Sequence, residues 1–145
     1  MYSQILFPTD GSECADAALD HALEHAKMYD ASLRVLYVAD VREVGHASPT
    51  ISLERVRDAL HESGNSVLDR VAERAEAAGV EVETVVSEGT PASEILRHAD
   101  DEAVDLVVMG THGRSGLDRY LIGSVAERVV RGSSAPVLTV RQDSE

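Results

Sequence analysis

A single cysteine, a single lysine and no long apolar run set the first limits on this chain of 145 residues. One thiol, Cys14, cannot close an internal disulfide, and no neighbouring Cys or His stands at metal-ligand spacing, so it reads as a structural residue of a helix. No segment approaches the roughly 20 apolar residues that a membrane-spanning helix needs. The opening, MYSQILFPTD, has no basic stretch ahead of an apolar core. A soluble, cytoplasmic protein is expected. Lys27 is the only lysine among 13 basic residues, which face 26 acidic ones for a formal net charge of −13. Nucleic-acid binding rests largely on neutralising phosphates with Lys and Arg, so DNA is not an expected partner. High acidity with arginine in place of lysine suits a protein kept soluble at high salt, where screening weakens self-repulsion. A halophilic source is therefore expected. No internal repeat, low-complexity tract or linker interrupts residues 1–145, and one domain with one core is expected.

Apolar spacing supplies the elements. Gln4 to Phe7 reads as a strand buried on both faces and ended by Pro8. Ser12 can cap a helix through about Tyr29, with Ala15, Ala18, Leu19, Ala22, Leu23 and Ala26 at helical spacing. Residues 32–38, SLRVLYV, form a second strand, and residues 39–52 a polar loop. Leu53, Val56, Leu60, Val67, Leu68, Val71, Ala75 and Ala78 trace a long helix that stops at Gly79, with a bend expected at Gly64. A third strand is expected over 80–86. Thr90 and Pro91 open a helix to about Asp100, residues 104–109 make a fourth strand, a helix runs from Ser124 to about Arg131, and 136–140 is the last strand. Alternating strands and helices predict an α/β fold with a parallel sheet covered on both faces.

In such a sheet the ligand site lies outside the carboxyl ends of the strands, where chain order reverses. Two connections belong to that edge: Pro8-Thr9-Asp10, and the stretch from Gly110 to Gly123, in which glycines are concentrated. A glycine-rich connection lets backbone N–H groups approach phosphate oxygens. Gly123 then leads into a helix whose first N–H groups and dipole favour an anion, and Ser124 can add a hydroxyl. Between Gly110 and Arg131 four arginines (Arg114, Arg119, Arg128, Arg131) face two acids (Asp118, Glu127), a local +2 in a chain that is −15 elsewhere. Ordinary roles remain open, because Ser124-Val125-Ala126-Glu127 is also a capping box and glycines also serve turns. Neither G-x-G-x-x-G nor G-K-[ST] occurs, so the dinucleotide fold and P-loop cradles are excluded.

The spacing Gly110-x2-Gly113-x9-Gly123-Ser124 resembles the ATP-binding motif of the universal stress protein family, and the opening ILFPTDGSECADAALDHAL resembles that family's start. The likeness spans the chain. It implies a five-stranded parallel sheet of order 3-2-1-4-5, Rossmann-like, and a homodimer paired through the last strand, here Val137, Leu138, Thr139 and Val140. It further implies a nucleotide-dependent regulatory switch in the stress response, binding ATP with Mg, or AMP or cyclic AMP, and acting on an unidentified protein partner. By position, Pro8, Thr9 and Asp10 would border adenine and ribose, with Asp10 also reaching a metal-bound water. Val38 would meet the base through its backbone, and Met109 and Gly110 would flank the ribose. Gly113, Gly123, Ser124 and the Val125 N–H would hold phosphates. Arg114 is added on charge grounds. Ala126 replaces a hydroxyl residue found in some ATP-binding members, which implies a lost phosphate contact.

Other chemistry finds less support in the residues. His21-Ala22-Leu23-Glu24-His25 matches H-x-x-E-H, yet these polar residues lie off the apolar stripe and are expected to face solvent rather than hold zinc. His112 stands inside the glycine-rich connection, where it could touch phosphate or act as an acid. Thr9, Ser115 and Ser124 are possible nucleophiles, but no base is paired with them. No catalytic residue is assigned. A regulatory binder with at most slow ATP hydrolysis is favoured over an ATPase, a nucleotidyl transferase or a dimeric protein that binds no nucleotide.

Overall fold

The computed structural model describes residues 2–41, 52–101, 103–112 and 123–142. Among them the elements are β1 (Gln4–Pro8), α1 (Glu13–Tyr29), β2 (Ser32–Ala39), α2 (Leu53–Ala77), β3 (Val82–Glu88), α3 (Pro91–Ala99), β4 (Leu106–Gly110), α4 (Ser124–Gly132) and β5 (Val137–Val140). The strands pair in parallel in the order β3-β2-β1-β4-β5, the expected topology. The polar connection expected over 39–52 falls largely on residues 42–51, outside the described residues.

Period-two alternation sorts the strands between two apolar layers. Ile5, Phe7, Leu33, Val35, Tyr37 and Val108 cluster with Ala18, Leu19 and Ala22 of α1 and with Leu68, Val71 and Ala75 of α2. Leu6, Leu36, Val107 and Met109 cluster with Ile95 and Ala99 of α3 and Ala126 and Val129 of α4. Each fully buried Ile, Leu or Phe contributes roughly 1.5–3 kcal/mol, so these layers dominate stability. The alanine-rich stripe of α1 brings that helix close to the sheet. Ser12 caps it, accepting from Ala15 N at 3.2 Å. Arg70–Asp16 and Arg74–Asp20 then link α2 to the outer face of α1.

Local chemistry explains where the elements stop. At the end of α2, Gly79 takes φ 76°, its N–H donates to Glu76 O, and the Val80 N–H returns to Ala75 O, a Schellman closure. That closure recruits Val80, so β3 begins at Val82 rather than at 80 and extends to Glu88. Likewise β4 starts at Leu106 rather than 104. Val104 N–H turns back to Asp101 O, and the Asp105 carboxylate accepts from Ser3 N and Gln4 N, so both residues serve the turn. The bend expected at Gly64 gives way to a different role. The helix runs unbroken, and a Cβ at Gly64 would stand 2.6 Å from Tyr37 Cδ1, so glycine there permits close packing on the sheet.

The chain leaves β1 into α1 on one face and leaves β4 into α4 on the other. Because β1 and β4 are neighbours, their carboxyl ends border a crevice at the switch point.

Candidate functional site

One wall of the crevice is the β1–α1 turn. Pro8 closes β1 opposite Leu36, and Thr9, 7 % exposed, donates its N–H to Leu36 O at 2.9 Å. The Thr9 hydroxyl accepts from Gly11 N at 3.1 Å, and Asp10 Oδ1 accepts from Ser12 N at 3.0 Å. Gly11 sits at φ 80°, a conformation L side chains rarely adopt. The turn is thereby locked against α1 by its own polar side chains. Residues Tyr37 to Ala39 of β2 continue beyond the level at which β1 stops, and Val38 packs its side chain on the α3/α4 side.

The other wall is the end of β4. Gly110 approaches α1 so closely that a Cβ would stand 2.9 Å from Cys14 Sγ and 3.1 Å from the Cys14 carbonyl. Packing of the first turn of α1 therefore demands glycine at 110, and Cys14 is buried as expected. Thr111, 5 % exposed, donates its N–H to Val140 O at 3.0 Å and accepts from Gly123 N at 2.8 Å. One backbone unit thus joins β4, β5 and the entrance to α4. Gly123 has φ −63° and ψ 158°, and a Cβ there would stand 3.0 Å from Thr111 O. Neither Gly110 nor Gly123 is a positive-φ glycine. At both positions glycine answers to close approach rather than to backbone freedom.

Gly123 is the N-cap of α4, no side chain caps the helix, and Ser124 is its first residue. The Ser124–Glu127 capping box does not form: Glu127 N–H bonds to Gly123 O at 2.9 Å, and the Glu127 carboxylate pairs with Arg131. The Ser124 hydroxyl is exposed, and the N–H groups of Ser124, Val125 and Ala126 occupy the first turn, where an α-helix has no internal partners for them. Such a terminus carries roughly half a positive charge. Met109 and Ala126 are both buried in the α3/α4 layer. A hydroxyl at 126 would thus enter an apolar cluster, which weakens the expectation that Ala126 costs a phosphate contact.

Gly113 and Arg114, with Ser115, Asp118 and Arg119, lie outside the described residues. Arg128 and Arg131 lie one and two turns into α4, and Arg131 is paired with Glu127, so neither reinforces the N-terminus as the charge count suggests. His112 Nδ1 lies 3.0 Å from Thr111 Oγ1. On α1, His21 and Glu24 are exposed and His25 Nδ1 lies 2.8 Å from His21 O. Among the described residues no three His, Cys, Asp or Glu side chains converge on a metal site. No described helix is long and apolar enough to cross a membrane.

The carboxylates with depressed acidity constants, Glu88, Glu94, Asp101 and Asp105, belong to β3, α3 and the turn into β4. Gly11 and Thr111 are the site residues that sequence reasoning missed. The Asp10-Gly11 dipeptide is a turn signal. Thr111 has no local signal, because its importance arises only where three elements meet.

Comparison with known proteins agrees with this geometry. The model of the universal stress protein family matches residues 1–141. Universal stress protein MJ0531 of Methanocaldococcus jannaschii is 42 % identical over 142 residues, covering 98 % of this chain and 84 % of its own. The solved structure of MJ0577, from the same organism, superposes with a TM-score of 0.88 at 33 % identity, covering 100 % of this chain and 99 % of its own. A universal stress protein solved in complex with cAMP superposes at 0.75 with 26 % identity, covering 98 % of this chain and 99 % of that one. With its parallel sheet, its switch-point crevice and a family match over nearly its whole length, the chain belongs to the universal stress protein family.

Proposed function

We propose that this protein is a nucleotide-binding stress-response regulator that takes an adenine nucleotide in the crevice between β1, β4 and α4. The carrying observation is the α4 N-terminus, uncapped by any side chain and anchored at the switch point by the Gly123 N–H on Thr111 O. Oriented backbone N–H groups at a helix start favour a phosphate, and charge-assisted hydrogen bonds of roughly 1.5–3 kcal/mol each bring micromolar affinity within reach of a few contacts. The cAMP complex of a relative supports the ligand class. In this reading Pro8, Thr9, Asp10 and the Val38 backbone border the base and ribose, and Met109 and Gly110 flank the ribose. Gly113, Arg114, Gly123, Ser124 and Val125 hold phosphates. ATP with Mg is the first ligand proposed, and Asp10 reaches the metal through water.

The protein acts as one domain in the cytoplasm of a halophile, as a homodimer joined through β5, and signals by its ligand state to a regulatory partner. Turnover is slow at most, since the reading assigns no general base. The test is thermal unfolding in high salt with Mg-ATP, AMP or cyclic AMP. Ligand at 100 times Kd stabilises the native state by about 2.7 kcal/mol. For a chain of this size that raises the midpoint by about 5–10 °C. Gly123→Val should abolish the rise while unfolding cooperatively without ligand. No shift with any nucleotide would leave a dimeric interaction protein in place of the regulator.

A further inference from the structure

The side chains behind the α4 entrance form a line. The Cys14 thiol donates to Val140 O at 3.6 Å, Thr111 Oγ1 lies 3.9 Å from Cys14 Sγ, and His112 Nδ1 lies 3.0 Å from Thr111 Oγ1. Cys14 and Thr111 are each 5 % exposed, so these contacts form away from solvent. A carbonyl can only accept, so the single thiol proton is committed to Val140 and the sulfur remains an acceptor. The Thr111 hydroxyl, which can donate or accept, then bridges that sulfur and His112 Nδ1. The ring's other nitrogen points elsewhere. A Cβ at Gly123 would lie 3.8 Å from His112 Cδ2, the carbon bonded to Nε2, so the Nε2 side of the ring borders the start of α4.

We propose that His112 is a proton-linked phosphate ligand, held by Thr111 so that its Nε2 joins the α4 N–H groups and donates to a nucleotide phosphate when the imidazole is protonated. The proposal rests on the nucleotide-binding reading above and adds its regulation by pH. Neutral imidazole offers a phosphate oxygen at Nε2 either a lone pair or an uncharged N–H. Imidazolium presents a charged donor there, and charged donors make the stronger hydrogen bonds. Phosphate binding and proton uptake are therefore coupled. The added affinity is present while the imidazole is protonated and is lost as rising pH removes that proton. Among the described residues, the elements that meet this line of side chains carry few competing charges. From α1 comes Cys14, from β5 the Val140 carbonyl, and from α4 the positive N-terminal dipole with Glu127 already paired to Arg131.

The experiment measures the affinities of AMP and adenosine by calorimetry between pH 8.0 and pH 5.5. Wild type is compared with His112→Gln, Thr111→Val and Thr111→Ser. Phosphate monoesters themselves change charge near pH 6, so the readout is the wild-type to His112→Gln ratio at each pH. That ratio should grow about tenfold towards acid for AMP, the equivalent of one pKa unit of linkage. Adenosine, lacking phosphate, should show no such growth. Thr111→Val should flatten the profile and Thr111→Ser restore it. A constant ratio for AMP overturns the proposal while leaving nucleotide binding intact. A matching change for adenosine overturns the phosphate assignment, and an unaltered profile in Thr111→Val overturns the positioning role. Absence of AMP binding at every pH overturns the nucleotide reading and this inference with it.

Discussion

The two edges of the sheet are finished in different ways. β3 carries Glu83 and Glu88, and both are engaged: Glu83 with Arg34, and Glu88 with Arg57 at 2.6 Å and His61 at 3.4 Å. Further along, Ser87 donates to Glu94, which also pairs with Arg97 at 2.7 Å. β5 contains only Val137, Leu138, Thr139 and Val140, of which the first three are half-buried. Open strand edges recruit other strands, and charge is the usual way to prevent it. One edge is thus closed by ion pairs, while the other is left apolar and short. The contrast teaches that the two edges are unequally open to association, and it favours β5 as the edge for the proposed homodimer.

The largest effect expected follows from reversing the β5 edge. Leu138→Lys sets like charges against each other across a symmetric pairing, costing several kcal/mol. It should weaken dimerisation by about two orders of magnitude. Thr84→Lys on the exposed β3 edge should leave the oligomeric state unchanged. Sedimentation equilibrium on both variants decides the matter, and equal effects would erase the distinction between the edges.

A smaller effect should come from stripping charge off β3. Glu83→Val leaves Arg34 with Asp101, 3.2 Å away, so folding stability should fall by only about 1 kcal/mol or less, the usual scale for exposed pairs. The uncovered edge should instead show concentration-dependent association by light scattering. A purely monomer–dimer distribution would mean that Glu83 does not guard the edge.

Acid should produce the mildest change, and only on one side. Arg97 and the Ser87 hydroxyl hold the Glu94 carboxyl below its ordinary range. The Ala103 N–H and then Arg34 do the same for Asp101. At Glu88 burial pushes upward, but Arg57 and His61 outweigh it. Depressed carboxylates stabilise the fold above their unfolded values, near pH 4, and lose that contribution as pH falls through the folded ones. Amide protection factors, referred to the intrinsic exchange rate at each pH, should therefore fall in β3 and α3 at about pH 3 relative to pH 7 while β5 changes little. A uniform fall in protection would show that these pairs do not hold the edge in place.

Sequence made the architecture legible and the site only partly so. The α1 stripe, the Gly79 stop and the order of the elements follow from local spacing, and local spacing is what a helix or strand senses first. The starts of β3 and β4 were misplaced because Val80 and Val104 are apolar for the sake of turns, which a hydrophobic run does not disclose. At the candidate site, the glycines that drew attention to the β4–α4 connection answer to a different cause. Gly110 answers to Cys14 and Gly123 to Thr111, contacts between residues far apart in sequence or across the loop. The helix starts at Ser124 as expected, but the capping box does not form, because Gly123, held by Thr111, occupies the N-cap position.

The burial of Cys14 beneath Gly110 has a practical corollary. A thiol shielded from solvent is a poor nucleophile towards alkylating or disulfide reagents, so the native molecule offers no competing site for covalent labelling. One cysteine introduced at an exposed position, such as Thr84 or Ser134, would become the single attachment point for a fluorophore or spin label. Paired labels on two copies would then report directly, as a distance, which edges face each other.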